Sequence, residues 1–136
     1  MIWMLDTNIL VYLTNREPGF EKIARRMSGR SPGEVRLSPI TLAELRFGIE
    51  KREFRTQNKA ALESLLELLQ VDDFPAAAAQ DFGEIKAHLL SAGETIGPYD
   101  LLIAAHARQI DAVLVTNNER EFRRVPGLSL QNWVKA

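Results

Sequence analysis

Five apolar residues, Met1 to Leu5, run without alternation into Asp6-Thr7-Asn8, and four more, Ala112 to Val115, run into Thr116-Asn117-Asn118. A short unbroken apolar run reads as a strand covered on both faces, the kind found inside a parallel sheet. In such sheets the groups that do chemistry collect just past the carboxyl ends of the strands. The pattern therefore constrains the chain toward an α/β fold and stands Asp6 at a strand end, where a catalytic or metal-binding carboxylate would stand.

Helical signals fill the intervals. Thr7 to Asn15 reads as a short helix, Pro18 fits the first position of a second helix through Met27, and the Ser28-Gly29-Arg30-Ser31-Pro32-Gly33 loop is the least ordered-looking stretch. A strand over Glu34 to Ser38 leads to Ser38-Pro39, a cap and first-turn pair for a helix carrying Leu42, Leu45, Phe47 and Ile49. Leu62, Leu65, Leu66 and Leu69 recur at helical spacing and predict an amphipathic helix that forms an antiparallel hairpin with the preceding one. A third strand over Val71 to Phe74, a helix from Ala76 to Ser91, and a helix opened by Pro98 follow. That last helix is apolar on nearly every face and should be buried. Leu128 to Leu130 reads as an edge strand. Strands alternating with helices predict a mostly parallel central sheet of four or five strands flanked by helices, a three-layer sandwich, over a single domain spanning 1–136.

Composition excludes several chemistries. The 136 residues contain no cysteine, which removes disulfides, thiolate nucleophiles and thiolate-bound zinc. His88 and His106 form no recognisable ligand pair. No apolar stretch approaches the roughly 20 residues of a membrane span, and the opening run lacks the basic flank of a signal peptide, so a cytoplasmic protein is expected. A formal net charge of −1 gives no global attraction to nucleic acid, and any RNA or DNA contact must come from local basic patches.

Most of the eighteen acidic residues sit on helix faces among Lys and Arg. Three do not: Asp6 after the first strand, Glu44 between Leu42 and Leu45, and Asp100 at the entrance to the buried helix. Each has a structural reading of its own, Asp6 as a helix N-cap, Glu44 as a residue at a helix border, Asp100 as a first-turn acid facing the helix dipole. Together they need compensation, since two carboxylates about 4 Å apart repel by roughly 1 kcal/mol in water and about 4 at an effective dielectric of 20. Proton uptake or a divalent cation relieves this, and oxygen ligands without His or Cys suit Mg²⁺ or Mn²⁺.

Four segments, Met4-Leu5-Asp6-Thr7-Asn8, Ser38-Pro39-Ile40-Thr41-Leu42-Ala43-Glu44-Leu45, Ile96 through Ala107 and Val115 through Phe122, occur in an order and at a spacing that resemble the PIN-domain ribonucleases, specifically the VapC toxins of bacterial toxin–antitoxin pairs. The resemblance covers essentially the whole chain. It implies a PIN-like fold and a Mg²⁺- or Mn²⁺-dependent endoribonuclease that hydrolyses phosphodiesters of structured RNA, often tRNA, by metal-assisted attack of water. The metal-binding acids it implies are Asp6, Glu44 and Asp100. Many members carry a fourth acid where this chain has Asn118, a neutral amide that could still ligate or hold a water, and Thr116 falls at the rim of the same site. The resemblance also implies a VapB-like antitoxin wrapping the third and fourth helices, near Phe47, Phe54, Arg46, Arg52 and Arg55, and a homodimer. A rival reading is a non-catalytic RNA- or antitoxin-binding module on the same fold. A third, phosphoryl transfer with Asp6 as nucleophile, wants an acid two residues on, where Asn8 stands.

Basic residues fall in three groups: Arg46, Lys51, Arg52 and Arg55 around the hairpin; Lys22, Arg25, Arg26 and Arg30 along the second helix; and Arg120, Arg123 and Arg124 after Asn118. The last is the best candidate for phosphate contacts because it adjoins the site. His88 reads as a packed or surface residue and His106 as a core residue with a satisfied hydrogen bond.

Overall fold

The computed structural model describes residues 1–51 and 55–135. Five short strands, β1 (Trp3–Leu5), β2 (Val35–Leu37), β3 (Gln70–Val71), β4 (Val113–Val115) and β5 (Ser129–Gln131), form one sheet in the order β3-β2-β1-β4-β5. Every neighbouring pair is parallel. Seven helices connect them: α1 (Thr7–Asn15), α2 (Phe20–Ser28), α3 (Pro39–Glu50), α4 (Arg55–Leu66), α5 (Ala78–Ser91), α6 (Pro98–Gln109) and α7 (Glu119–Phe122).

Alternation along β1 sorts the core into two halves. Met4 faces a cluster with Ile85, Ile103 and Phe122 from α5, α6 and α7, whereas Leu5 faces one with Leu10, Ile23, Leu62 and Trp133. Successive strand residues point to opposite faces, so one strand serves both layers, and the unbroken apolar runs of β1 and β4 follow directly. Strand order reverses direction at β1, which lies between β2 and β4. The carboxyl ends of β1 and β4 are therefore adjacent, with the Asp6 N–H donating to the Val115 carbonyl at 3.0 Å.

Helix starts follow local chemistry. The Ser38 hydroxyl accepts the Ile40 N–H at 3.2 Å and Pro39 occupies the first turn of α3; Pro98 does the same for α6. Helix α6 is buried along Leu101, Ile103, Ala104, Ala105, His106 and Ala107, as its composition predicts.

Several boundaries differ from expectation. Helix α2 begins at Phe20, not Pro18, because Gly19 turns the chain with φ 101°, a conformation glycine takes readily. β3 is confined to Gln70–Val71, paired with Arg36 and Leu37 of β2, instead of running to Phe74. The following segment leaves the sheet so that the Phe74 ring packs edge-on against His106, with centroids 5.2 Å apart. The loop read as least ordered contains a 3₁₀ turn at Pro32–Glu34, with the Glu34 carboxylate accepting the Ser31 N–H at 2.8 Å. Of the leucine stripe, Leu62 and Leu69 are buried and Leu65 and Leu66 pack against the same core, so the stripe is largely the hairpin's own interior. Arg52 and Phe54 lie outside the described residues, and the Arg55 side chain is not described.

His106 is fully buried, but neither ring nitrogen has a hydrogen-bond partner among the described residues, contrary to the core hydrogen bond expected of it. Its neighbour Phe74 offers a ring edge and no acceptor. Burial holds the imidazole below its ordinary pKa against an opposing pull from Asp72, so it is a neutral packing group.

Arg108 ties α6 to α5 and to the segment before β5: its guanidinium donates to Asp81 at 2.7 Å, to Glu84 at 2.8 Å and to the Pro126 carbonyl at 3.2 Å. Arg108→Met leaves the buried Asp81 carboxylate without its cation. We expect a loss of about 2 kcal/mol, less than for a fully dry pair because water reaches part of it, read as a lower urea midpoint with unchanged slope.

Candidate functional site

The site forms where β1 and β4 end. Asp6 is 2 % exposed. One of its oxygens accepts the Ile9 N–H at 3.2 Å and caps α1, and the other accepts the Thr116 hydroxyl at 2.5 Å. The structural reading of Asp6 as an N-cap is therefore correct, and it coexists with the site. Burial, reinforced by the charge of Asp100, pushes its pKa up to about 6 against the pull of the bonds from Thr116, Ile9 and Asn8.

Glu44 projects from the second turn of α3, where one oxygen accepts the Thr7 hydroxyl at 2.7 Å; the Thr41 hydroxyl lies 3.4 Å from Thr7. Asp100, in the first turn of α6, is half-buried, and its pKa also rises to about 6, through desolvation first and then repulsion from Glu121 and Glu44. Asp100 thus feels the charge of both Glu44 and Asp6, so the three acids singled out in the sequence lie near one another.

Glu121 was not foreseen. Its carboxylate accepts the Gly97 N–H at 3.1 Å and the Asn118 side-chain amide at 2.6 Å, which places it beside Asp100. The only sequence signal was the acidic pair Glu119 and Glu121 directly after Asn118, and a four-residue helix is too short to show which one turns inward. Thr116, fully buried, links the parts: it donates to Asp6 and accepts the Asn118 N–H at 2.9 Å. Asn118 therefore sits on the rim, held from both sides.

Among the described residues no Lys or Arg pairs with Asp6, Glu44 or Asp100, and no three acidic or histidine groups stand close enough as positioned to enclose a metal ion. The donor set is nonetheless all oxygen, the kind a hard divalent cation takes, and the two carboxyls are raised first by burial and then by repulsion among the acids, which such a cation would relieve.

Basic neighbours divide by partner. Arg46 pairs with Glu63 at 2.7 Å, Arg123 reaches Glu119 at 4.0 Å, and Arg124 is held by Glu94 at 3.2 Å and the Thr95 carbonyl at 3.0 Å. Arg120 is exposed and shares a depression of about 440 Å³ with Gly97, Asn118 and Glu121. On the other side of Glu44 lies an apolar groove of about 600 Å³ between α1, α3, α4 and α6, lined by Thr7, Val11, Phe47, Leu62, Tyr99 and Leu102. Phe47 is 66 % and Tyr99 58 % exposed along it.

Residues 3–128 match the family model described as the PIN domain. The chain is 41 % identical over 140 residues to the ribonuclease VapC2 of Rickettsia felis, covering 99 % of this chain and the full length of that protein. It is 39 % identical over 131 residues to the tRNA(fMet)-specific endonuclease VapC of Shigella flexneri, covering 96 % of this chain and 97 % of the relative. The solved DNA-bound VapBC of Salmonella typhimurium contains a chain that superimposes with a TM-score of 0.91 at 38 % identity, covering 98 % of each.

Proposed function

The chain belongs to the PIN-domain family, and on that footing we propose that it is an endoribonuclease toxin that hydrolyses phosphodiesters of structured RNA, tRNA in the first instance, and is held inactive by a VapB-like antitoxin. The observation that carries the chemistry is the cleft in which Asp6 and Asp100 both have pKa values pushed to about 6, with Glu44 and Glu121 beside them and no cation paired to the first three among the described residues. In this reading Asp6, Glu44 and Asp100 hold Mg²⁺ or Mn²⁺, with Asn118 at the edge of the set. When bound, the cation supplies Lewis acidity and neutralises charge that develops on the phosphate.

The protein's own groups do the positioning. Thr116 fixes the Asp6 carboxylate and Thr7 fixes Glu44, so neither side chain has to be ordered when substrate arrives. Arg120, without an ion pair among the described residues, would take a phosphate oxygen next to the scissile one. The rival reading of a non-catalytic module rests on the neutral Asn118 and on the near-neutral charge of the chain. Glu121 weakens it, because a carboxylate bonded to that amide returns acidic charge to the position.

The antitoxin belongs in the apolar groove beside Glu44, where Phe47 and Tyr99 offer exposed anchors to an amphipathic segment. We include in the proposal that residues 1–136 act as one unit, as a homodimer, in the cytoplasm; no helix among the described residues is long and apolar enough to cross a membrane.

Asn118→Asp tests the rim. The new carboxylate loses the amide bond to Glu121 and adds a charge to the cluster, so Mn²⁺ affinity by calorimetry should tighten about tenfold while the metal-free protein melts lower. Unchanged affinity places residue 118 outside the metal's reach.

The proposal as a whole is tested by expressing the chain in bacteria with and without the small protein encoded beside it and sequencing RNA ends. New termini at one position of a structured RNA, suppressed by co-expression, are expected. No new termini, or termini unaffected by the neighbour, would overturn it.

A further inference from the structure

Helix α2 carries Lys22, Arg25 and Arg26 on its exposed side, and Arg30 follows one turn later. Residues at these spacings lie on one helix face. Among the described residues, Lys22, Arg25 and Arg26 make no side-chain ion pair or hydrogen bond; Glu21, one turn before Arg25, does not pair with it either. Like charges one turn apart repel, by roughly 0.2–0.5 kcal/mol per pair, so an ordinary solvated face would be expected to interleave them with acids. Glu21 is the only acid in α2, against three cations on this face, although the chain as a whole is slightly acidic.

Arg30 is built differently from a free surface arginine. Its guanidinium lies over two indoles, 4.2 Å from the Trp3 ring centroid and 4.8 Å from that of Trp133, and it donates to the Arg26 carbonyl. The two tryptophans, themselves 6.5 Å apart and tilted by 49°, hold the guanidinium against both rings. Stacking of this kind orders the side chain before any ligand arrives and leaves the outer N–H groups for an anion. Lys22, Arg25, Arg26 and Arg30 line one depression of about 390 Å³ with Trp133 and Lys135.

A chain of side-chain contacts runs from the depression to the rim of the acidic site. Lys135 pairs with Glu119 at 2.9 Å, Asn132 donates to both Glu119 and Asn117 at 3.1 Å, and Asn117 and Glu119 flank Asn118 at the rim. A polyanion seated on α2 can therefore extend along the end of β5 to the β4 end, where the acids are. An acidic cleft by itself repels RNA, and binding strength must come from cations outside it.

We propose that the α2 face formed by Lys22, Arg25, Arg26 and the tryptophan-clamped Arg30, joined to the cleft by Lys135, is a docking surface for the phosphate backbone of a structured RNA substrate. The proposal rests on the ribonuclease reading above for the identity of the polyanion. It assigns the surface a role in holding RNA that is long enough to span both regions, with no part in bond cleavage.

The test compares the full chain with Arg25→Ala/Arg26→Ala, whose alanines favour the helix, and with Arg25→Lys/Arg26→Lys. Binding of a bulk bacterial tRNA fraction is measured in chelator across a salt series, and cleavage of a short oligoribonucleotide is measured separately with Mg²⁺. For the double alanine variant we expect tRNA affinity to fall about tenfold at low salt and the slope of log K against log salt to shrink by about 1.4–1.8, two contacts at roughly 0.7–0.9 each. The lysine variant should retain most of both, and oligoribonucleotide cleavage should be unchanged in either. Equal tRNA affinity and slope in wild type and alanine variant would overturn the proposal. So would a variant that binds tRNA normally but loses the antitoxin, since the face would then serve an acidic protein segment. If the wild-type chain cleaves neither RNA, the ribonuclease reading fails on that arm alone, while the chelated binding series still decides whether this face docks RNA.

Discussion

Asp100→Asn is expected to lower RNA cleavage by about a thousandfold or more, the scale of removing a group that organises charge at a reacting phosphate, while leaving the protein at least as stable at neutral pH. Asp100 is repelled by Glu121 and Glu44 and desolvated in the first turn of α6. The amide keeps its shape and removes the repulsion. The activity measurement is a single-turnover cleavage rate with Mg²⁺, and the stability measurement a melt in chelator. A rate near wild type would mean that Asp100 is not part of the reacting centre. Asp6 makes a less clean test. Asp6→Ala also removes the cap on the Ile9 N–H and the partner of the Thr116 hydroxyl, so relief of repulsion is offset by about 1 kcal/mol of lost capping and by a buried hydroxyl left without its acceptor.

The contribution of Asp6 and Asp100 to stability without metal should depend on pH in the direction opposite to that of salt-bridged carboxylates. Asp6 and Asp100 have folded-state values near 6, above the ordinary 3.8. Between those two values the native state holds protons that the unfolded chain has released. The contribution of these two carboxyls therefore falls as pH rises through that window, while His106, whose pKa burial lowers from 6.5, contributes a rise with pH below that value. For Asp6 the shift corresponds to about 2–3 kcal/mol, and for the less buried Asp100 to less. Saturating Mg²⁺ should reverse the trend, because the ion binds only deprotonated carboxylates and adds its binding free energy to the native state. Melts at about pH 5 and pH 7.5 with chelator and with Mg²⁺ check both halves. A metal-free wild type that does not lose stability relative to Asp100→Asn between the lower and the higher pH, or a Mg²⁺ effect that is the same at both, would contradict the account of the cleft.

What the sequence made legible was what depends on local pattern. The apolar runs of β1 and β4, the Ser38-Pro39 and Pro98 helix starts, and the position of Asp6 at a strand end follow from burial periodicity and capping chemistry that act over a few residues. Glu44 stands out because it interrupts an apolar helical run, and Asp100 because it stands at the entrance to the buried helix. What stayed hidden depends on tertiary geometry. Glu121 is drawn inward by the Gly97 N–H, more than twenty residues away, and by an amide on its own short helix. Gly19 takes over the role expected of Pro18 because the turn between α1 and α2 demands a positive φ. His106 was given a hydrogen bond on the general rule for buried polar groups, but α6 turns it onto Phe74, which leaves β3 early to meet it. The clamp of Trp3 and Trp133 on Arg30 joins residues from opposite ends of the chain and left no trace in any local window.

The central claim is that this acidic cleft cuts RNA with the help of a divalent cation. The most direct measurement is to incubate the purified chain, free of antitoxin, with a bulk tRNA fraction in Mg²⁺ and in chelator, and to map the 5′ and 3′ ends that result. The account predicts new ends at a defined position of one or a few tRNAs, present with Mg²⁺ and absent with chelator. Ends that form equally in chelator, or tRNA that stays intact under both conditions, would contradict it.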